Sequence, residues 1–212
     1  ADQLATRAIT WAGVAWGVRR LLVGLGKKLL VADTVALPAD IIFALPPEQL
    51  STPLAWIGVG CYTLQIYFDF SGYSDMAIGL AALFGFRFPE NFDHPYIARS
   101  VQDFWRRWHL SLSRWFRDYL YVPLGGNRAR PARVYLNLVI VFFLCGLWHG
   151  ASWTFVAWGL FHGAFLVVER LGAQRWLAAL PRGAGHLYTL LAVMVGWVLF
   201  RADSLPHAVA FL

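Results

Sequence analysis

The chain has 212 residues, of which 58% are hydrophobic and only 14% charged, and its net charge is +6. Soluble domains carry about 25% charged residues, so this composition excludes an ordinary soluble protein and indicates an integral membrane protein. The stretch from Arg99 to Arg133, with eight arginines and two aspartates, accounts for the whole net charge. Basic stretches beside apolar ones are typical of cytoplasmic flanks and anionic lipid headgroups. We therefore expect membrane lipids, and no nucleic acid, as partners.

The first part of the chain contains three apolar stretches. Residues 9–30 are interrupted by arginines and lysines, which fits either a membrane span with a basic cytoplasmic end or an interfacial helix. Residues 33–43 continue amphipathically until two prolines end them. Residues 53–86 would form a helix of about 50 Å, longer than the roughly 30 Å hydrocarbon core of a bilayer. That helix must tilt, bend at Gly72 or extend past the membrane.

Polar side chains interrupt this long apolar stretch at Asp69, Ser71, Tyr73 and Asp75. A carboxylate with apolar neighbours must be paired, solvated in a cavity or protonated. Arg106 and Arg107 are candidate partners. Two interpretations stay open: a substrate-binding polar cluster, or a buried ion pair that fixes the helix bundle.

Apolar residues recur at steps of three and four from Val101 to Tyr119. Arginines, Arg106 and Arg107 among them, fall on the opposite face, which predicts one amphipathic helix over this segment. Such a helix lies in the cytoplasmic interface or caps the bundle there. His109 stands at the edge of the apolar stripe. It is either an interfacial histidine or a contact for a ligand on the cytoplasmic side.

The longest charge-free run, residues 134–168, contains His149 near its middle. Basic flanks predict that both ends face the cytoplasm, so we interpret the run as two spans that meet near His149, with one tilted helix as the alternative. The first span, about 22 Å long, is too short to cross fully. An imidazole at that depth is a functional-site candidate. It can act as a general base, or it can bond a neighbouring backbone in a structural role. Residues 186–200 predict a last, short span.

Other kinds of site find little support in the sequence. His162 lies 13 residues after His149, about 140° around a straight helix, and no carboxylate stands at ligand spacing. We therefore expect no metal. No serine has the pattern of a hydrolase nucleophile. Cys61 and Cys145 lie in apolar runs and are expected to be packing residues.

Several long motifs, in one order, closely resemble the membrane-bound O-acyltransferase family, and within it the bacterial alginate O-acetylation membrane proteins. The likeness covers nearly the whole chain and is densest from Tyr67 to His162. The motifs are LQIYFDFSGYSDMAIG (residues 64–79), GFRF (85–88), ENF (90–92), FWRRWHLSLS (104–113), RDYLY (117–121), GGNR (125–128), GLWHGA (146–151) and GWVLFRA (196–202).

The resemblance implies an all-α, polytopic membrane bundle with an interfacial amphipathic helix and a central tunnel. We interpret residues 1–212 as a single such domain, cut at both ends. It also implies that His149 is catalytic and that His109 is a second functional histidine nearer the cytoplasm. Further residues are assigned to a substrate-binding or structural polar cluster: Asp69, Ser71, Tyr73, Asp75, Arg106, Arg107 and Trp148. No bound cofactor is implied.

The main functional hypothesis is an O-acyltransferase of the bacterial inner membrane. It would move an acetyl-type group from a thioester, acetyl-CoA or an acyl carrier, toward hydroxyls of an exported polysaccharide such as alginate. Periplasmic acetyltransferase- or esterase-like proteins would be its partners. Three alternatives stay open: D-alanyl transfer to teichoic acid, a proton-coupled transporter or flippase that uses Asp69, Asp75 and the histidines, and a scaffold without chemistry of its own.

Overall fold

The computed structural model describes residues 2–212, and every regular element among them is helical. This confirms the all-α prediction. The helices are α1 (Asp2–Thr6), α2 (Trp11–Gly26), α3 (Asp33–Phe43), α4 (Thr52–Leu83), α5 (Val101–Trp105), α6 (Leu110–Phe116), α7 (Pro131–His149), α8 (Trp153–Val168), α9 (Gln174–Ala179), α10 (Arg182–Arg201) and α11 (Leu205–Phe211). Wider π turns continue α2, α6 and α8 over Lys27–Ala32, Arg117–Tyr121 and Glu169–Ala173.

Three helices in the described chain are long and apolar enough to cross a membrane. They are α7, the continuous segment Trp153–Ala179 and α10. Their length and composition confirm the predicted membrane protein. Helix α7 has 19 residues and is about 28 Å long. It begins at Pro131, and proline is favourable at the first position of a helix. The predicted shortness of this span was therefore wrong: the helix includes Arg133, which the charge-free run left out.

The chain divides into two compact units, Ala1–Ala44 with Trp56–Asn91, and Leu45–Ala55 with Phe92–Leu212. The single membrane domain stays a prediction.

In the first unit, glycines bring α2 and α4 into backbone contact. A Cβ on Gly17 would lie 2.7 Å from the Gly79 carbonyl oxygen, and a Cβ on Gly24 would lie 2.5 Å from that of Gly72. Small residues allow such close helix packing in membranes. Helix α4 is continuous through Gly72. The glycine thus admits a neighbouring helix and does not break its own.

In the second unit, α7 and α8 form an antiparallel pair with the same kind of contact. A side chain on Gly146 would strike the Phe155 carbonyl, and one on Gly159 would strike the Phe142 carbonyl. Helix α10 packs on α8. Buried Val101, Phe142, Leu166 and Ala192 form a core that joins α5, α7, α8 and α10. This core fixes the positions of α7 and α8, which carry His149 and His162.

Helix α5 is fixed at its start by a buried carboxylate. The Val101 and Gln102 N–H groups donate to the two Glu169 oxygens at 2.7 and 3.0 Å, and the Tyr188 hydroxyl donates to Glu169 at 3.2 Å. Glu169 is only 2% exposed. A negative charge is favourable at a helix N-terminus, where free N–H groups point. Glu169 therefore docks α5 onto the end of α8.

The predicted single helix over residues 101–119 is wrong, because the structure divides it into α5 and α6. The break falls before His109, whose backbone is left-handed with φ of 47°. Trp108 explains the break: its indole is 5% exposed and lies 5.0 Å from the Trp197 ring and 5.4 Å from the Phe104 ring. Burying this ring against α10 outweighs helix continuation, so tertiary packing overrides the local periodicity.

Candidate functional site

His149 is the last residue of α7, and extended Gly150 leads to α8. Two helices therefore meet at His149, as predicted, and the alternative of one tilted helix is wrong. The Ser152 hydroxyl begins α8 by accepting a hydrogen bond from the Thr154 N–H at 3.3 Å. This N-cap stops α8 from running on into α7 and leaves the His149 side chain at the junction.

Aromatic rings surround the His149 imidazole. Ring centroids lie 4.9 Å away for Trp148, 5.1 Å for Trp158, 5.0 Å for Phe200 and 6.3 Å for Phe155. The first three rings stand edge to face, and Phe155 is stacked. Among the described residues, no hydrogen bond or ion pair reaches the His149 ring. Packing alone holds it in place.

His109 lies at the break between α5 and α6, not on the helix face that the periodicity predicted. It and His94 are the two residues other than glycine with positive φ in the described chain. A left-handed non-glycine residue is uncommon and is found preferentially at functional sites. The His109 ring lies 6.3 Å from Trp148. Burial lowers the pKa of His109 from 6.5 to about 4, so the ring is neutral at pH 7.

His109 and His149 line one cavity of about 220 Å³. Its apolar wall includes Trp105, Leu138, Phe142, Cys145 and Leu166. Its polar lining consists of Gln102, Arg106, Ser113, Arg117, Tyr121 and Arg170. The fold thus brings together two histidines that are 40 residues apart in the sequence, beside apolar surface and guanidinium groups. A site of this kind can hold a small apolar group attached to an anionic carrier.

Several residues that line this cavity were not predicted as site residues from the sequence. Arg117 and Tyr121 stand in the quoted RDYLY motif, which was the available signal. Arg170 and Gln102 line the same cavity because Glu169 docks α5 onto α8, and no local sequence pattern predicts that docking. Trp158 and Phe200 contact His149 across the α7–α8–α10 packing, so they too are visible only in the fold.

His162 is fully buried on α8 and belongs to a second ring cluster. Its centroid lies 5.0 Å from Trp105 and 5.3 Å from Trp158. Both of its nitrogens lack a hydrogen-bond partner among the described residues. A Cβ on Gly196 would lie 2.5 Å from the His162 Nε2, so that glycine makes room for the imidazole. The angle of about 140° between His149 and His162 assumed one straight helix. It does not apply, because the two residues lie on different helices and both contact Trp158.

Arg106 and Arg107 lie in the second unit, directly after α5. Arg106 lines the cavity. Arg107 donates through Nε to the Asp103 carboxylate at 2.9 Å, one helical turn away, and through Nη1 to the Asp93 carbonyl at 3.2 Å. The pairing of these arginines with Asp69 and Asp75, which the sequence raised as one possibility, stays a prediction.

Basic residues of α2 and of the turn that follows it pair with the α4 carboxylates. Asp75, which is 5% exposed, accepts hydrogen bonds from Arg20 at 2.7 and 2.9 Å and from Lys27 at 2.6 Å. Asp69 pairs with Lys28 at 2.7 Å, and both side chains are partly solvated. The close antiparallel packing of α2 and α4 sets these partners. The interpretation of a buried ion pair that fixes the bundle therefore fits Asp75.

Ser71 and Tyr73 do not join Asp75 in one cluster. The Ser71 side chain is 2% exposed, and its hydroxyl has no hydrogen-bond partner among the described residues. Tyr73 is 64% exposed. The four polar residues of α4 fall on two faces of the helix: Asp69 and Tyr73 share the more exposed face, whereas Ser71 and Asp75 share the buried one. Trp148, the last assigned residue, contacts both His149 and His109.

Known proteins match the chain over nearly its whole length. The model of the membrane-bound O-acyltransferase family matches residues 2–205. A protein named probable alginate O-acetylase AlgI from Azotobacter vinelandii is 50% identical over 98% of this chain and 41% of its own length. A peptidoglycan O-acetyltransferase from Helicobacter pylori is 44% identical over 96% of this chain and 39% of its own. A teichoic acid D-alanyltransferase from Bacillus subtilis is 31% identical over 90% of this chain and 52% of its own length.

The chain thus spans about 40% of the length of the first two relatives. The matched part contains the helix junction, both cavity histidines and the ion pairs of α4. The family match over residues 2–205 and the extent of these identities lead to one conclusion: the chain belongs to the membrane-bound O-acyltransferase family.

Proposed function

We propose that the protein containing this chain is a membrane-bound O-acyltransferase that moves an acetyl group from a thioester to hydroxyls of an exported polysaccharide. The single observation that carries the proposal is the shared cavity of His149 and His109, which is lined by residues of α5, α6, α7 and the segment Trp153–Ala179. The names of the relatives support the reaction class and alginate as the type of acceptor.

In the proposed reaction, the neutral His149 imidazole takes the proton from the acceptor hydroxyl. The hydroxyl oxygen attacks the thioester carbonyl and forms a tetrahedral intermediate. When the intermediate collapses, the carbon–sulfur bond breaks and the ester remains on the acceptor. The departing thiolate takes the proton from the imidazolium, so His149 returns to its neutral state. His109, neutral beside the same cavity, would contact the donor or the acceptor.

The donor would be a thioester of coenzyme A or of an acyl carrier. Both carry phosphate, and Arg106 and Arg170 line the cavity. Guanidinium groups bind phosphate oxygens through paired hydrogen bonds. The apolar wall would receive the acyl group. We further propose a multi-pass protein of the bacterial inner membrane, with periplasmic acetyltransferase- or esterase-like partners, since an exported polymer receives the acetyl group.

The transporter alternative loses its main argument, because Asp69 and Asp75 are held by lysine and arginine partners. D-alanyl transfer shares the chemistry but differs in the acyl group. Supplying an acetyl donor and a D-alanyl donor in turn distinguishes the two reactions.

The test is made in cells that lack the native gene and carry a plasmid copy of the whole protein. We expect His149→Ala to abolish acetyl esters on the exported polysaccharide at normal expression, measured as acetate released by mild alkali. His207→Ala is the matched control, because this histidine of α11 does not line the cavity. Unchanged acetylation with His149→Ala would end the proposal.

A further inference from the structure

Glu169 forms a joint between α5 and the end of α8, and both of these segments carry polar lining of the cavity. The Gln102 N–H donates to Glu169 Oε2 at 3.0 Å, and Gln102 lines the cavity. Arg170, the next residue after Glu169, lines it too. Arg106 also lines the cavity, about one helical turn after Gln102. The buried Glu169 carboxylate therefore determines where the α5 part of this lining lies relative to Arg170.

We propose that Glu169 is a positioning residue for the acyl donor. It holds Gln102 and Arg106 in register with Arg170, so that the two guanidinium groups bind the same phosphate-bearing donor. This inference rests on the proposed function, in which a thioester of coenzyme A or of an acyl carrier binds in the cavity. Both donors carry phosphopantetheine. Glu169 acts on the binding of that group through the arginines and does not touch it.

The hydrogen bonds of this joint are complete, which suits a positioning role. The first two N–H groups of α5 donate to the two Glu169 oxygens, and the third donates to the Ser100 hydroxyl at 3.0 Å. The Tyr188 hydroxyl donates to Glu169 Oε1 from α10 at 3.2 Å. The N–H groups that begin a helix have no partner within it, so an outside acceptor fixes the helix start. The Glu169 carboxylate thus joins α5, α8 and α10 at one point.

Gln102 is held by its side chain as well as by its backbone. The Gln174 amide donates to Gln102 Oε1 at 3.0 Å, from 72 positions further along the chain. Gln174 begins α9, directly after the π turn that contains Glu169 and Arg170. Both contacts of Gln102 therefore join α5 to the same turn. The spacing of the basic residues in the cavity depends on these contacts, because α5 and the turn are distant in the sequence.

The two cavity histidines are held by other contacts, so donor binding and proton transfer are separable. His149 lies on α7, and His109 follows Trp108, whose buried ring packs on Trp197. These contacts do not include Glu169. A change that weakens binding of the substrate and of the transition state equally raises KM and leaves kcat in place. We therefore expect Glu169 to act on the KM for the donor.

The experiment titrates the acyl donor with the purified whole protein in lipid nanodiscs. The probes are radiolabelled acetyl-CoA and, in a second arm, an acetylated acyl carrier protein, each with alginate oligosaccharides in excess. Glu169→Gln keeps the size of the side chain, but its amide offers one oxygen and turns an NH2 group toward an N–H donor. This conflict loosens the joint, and we expect the KM for the donor to rise about tenfold while kcat changes less than about twofold.

Tyr188→Phe is the milder variant, because it removes one hydrogen bond to Glu169 and leaves both bonds to α5. It should raise the KM for the donor about two- to threefold, and it tests the inference if Glu169→Gln does not elute as a folded protein. Thr189→Val is the matched control: the buried Thr189 hydroxyl donates to the Gly185 carbonyl at 2.9 Å, a bond that stays within α10. It should leave both constants unchanged.

A lower kcat with an unmoved KM for the donor, or no change in either constant, would overturn the inference and reduce Glu169 to a stabilising contact. His149→Ala in the same assay separates this failure from failure of the proposed function. If His149→Ala transfers acetyl groups normally, or if the unmodified protein uses neither donor, the proposed function fails and the inference fails with it. If His149→Ala is inactive while Glu169→Gln keeps the KM of the unmodified protein, only the role of Glu169 fails.

Discussion

Polar side chains lie among apolar neighbours in two regions of this chain. In one region they have polar partners, and in the other they are surrounded by aromatic rings. On α4, Asp75 is enclosed by Arg20 and Lys27, which leaves it fully paired. At the α7–α8 junction, His149 and His162 are surrounded by rings and form no hydrogen bond with a described residue. A buried charge that is fully paired is typical of a structural role. A half-buried imidazole without a polar partner beside a cavity, such as that of His149, is typical of a catalytic role.

Breaking the ion pairs of α4 should give the largest loss of stability. Asp75→Ala leaves Lys27 without its carboxylate and Arg20 with Glu90 as its remaining partner, and removing one member of a buried pair costs about 3 kcal/mol. We expect the free energy of unfolding, measured in mixed micelles, to fall by that amount. The matched control is Asp69→Ala, because the half-solvated Asp69–Lys28 pair contributes about 0–1 kcal/mol. Equal effects of the two variants would contradict the contrast between them.

Crowding the histidine region should have the next largest effect. Gly196→Ala places a methyl group against the His162 Nε2, and overpacking of this kind costs about 1–3 kcal/mol. Gly183→Ala, also on α10, meets open space and should be neutral or slightly stabilising. Thermal unfolding of both variants measures the difference. A neutral Gly196→Ala would mean that α10 is not held against His162.

The smallest expected effect concerns acid sensitivity. Burial lowers the pKa of His109 in the folded protein from 6.5 to about 4, so protons bind the unfolded chain more readily. The stability due to neutral His109 is present above pH 6.5 and is lost as the pH falls toward 4. His109→Asn should remove this part of the pH dependence of the melting temperature. Thermal unfolding between pH 4 and pH 7 measures this, and the same pH dependence in His109→Asn and the unmodified protein would contradict it.

The sequence predicted the helix junction well, because its signals are local. A long charge-free run, His149 at its middle and glycines on both sides of that residue are enough to place two helices that meet there. The family motifs pointed to His109 as the second histidine, and the fold places both on one cavity.

Contacts between distant segments could not be predicted in this way. Asp75 pairs with Arg20, 55 residues away, because glycines on α2 and α4 let those helices approach, and the pattern of α4 contains no hint of that partner. The break before His109 likewise depends on Trp108 packing against Trp197. Periodicity describes one helix at a time, whereas these outcomes depend on which helices meet.

The central claim is that His149 performs proton transfer inside the cavity. The most direct measurement is transfer of labelled acetyl from acetyl-CoA to alginate oligosaccharides by the purified whole protein, with His149→Ala compared against His207→Ala at equal amounts of folded protein. Loss of a general base costs about 10²–10⁴-fold in rate, so we predict at least a hundredfold decrease for His149→Ala and none for His207→Ala. Equal rates in the two variants would contradict the account.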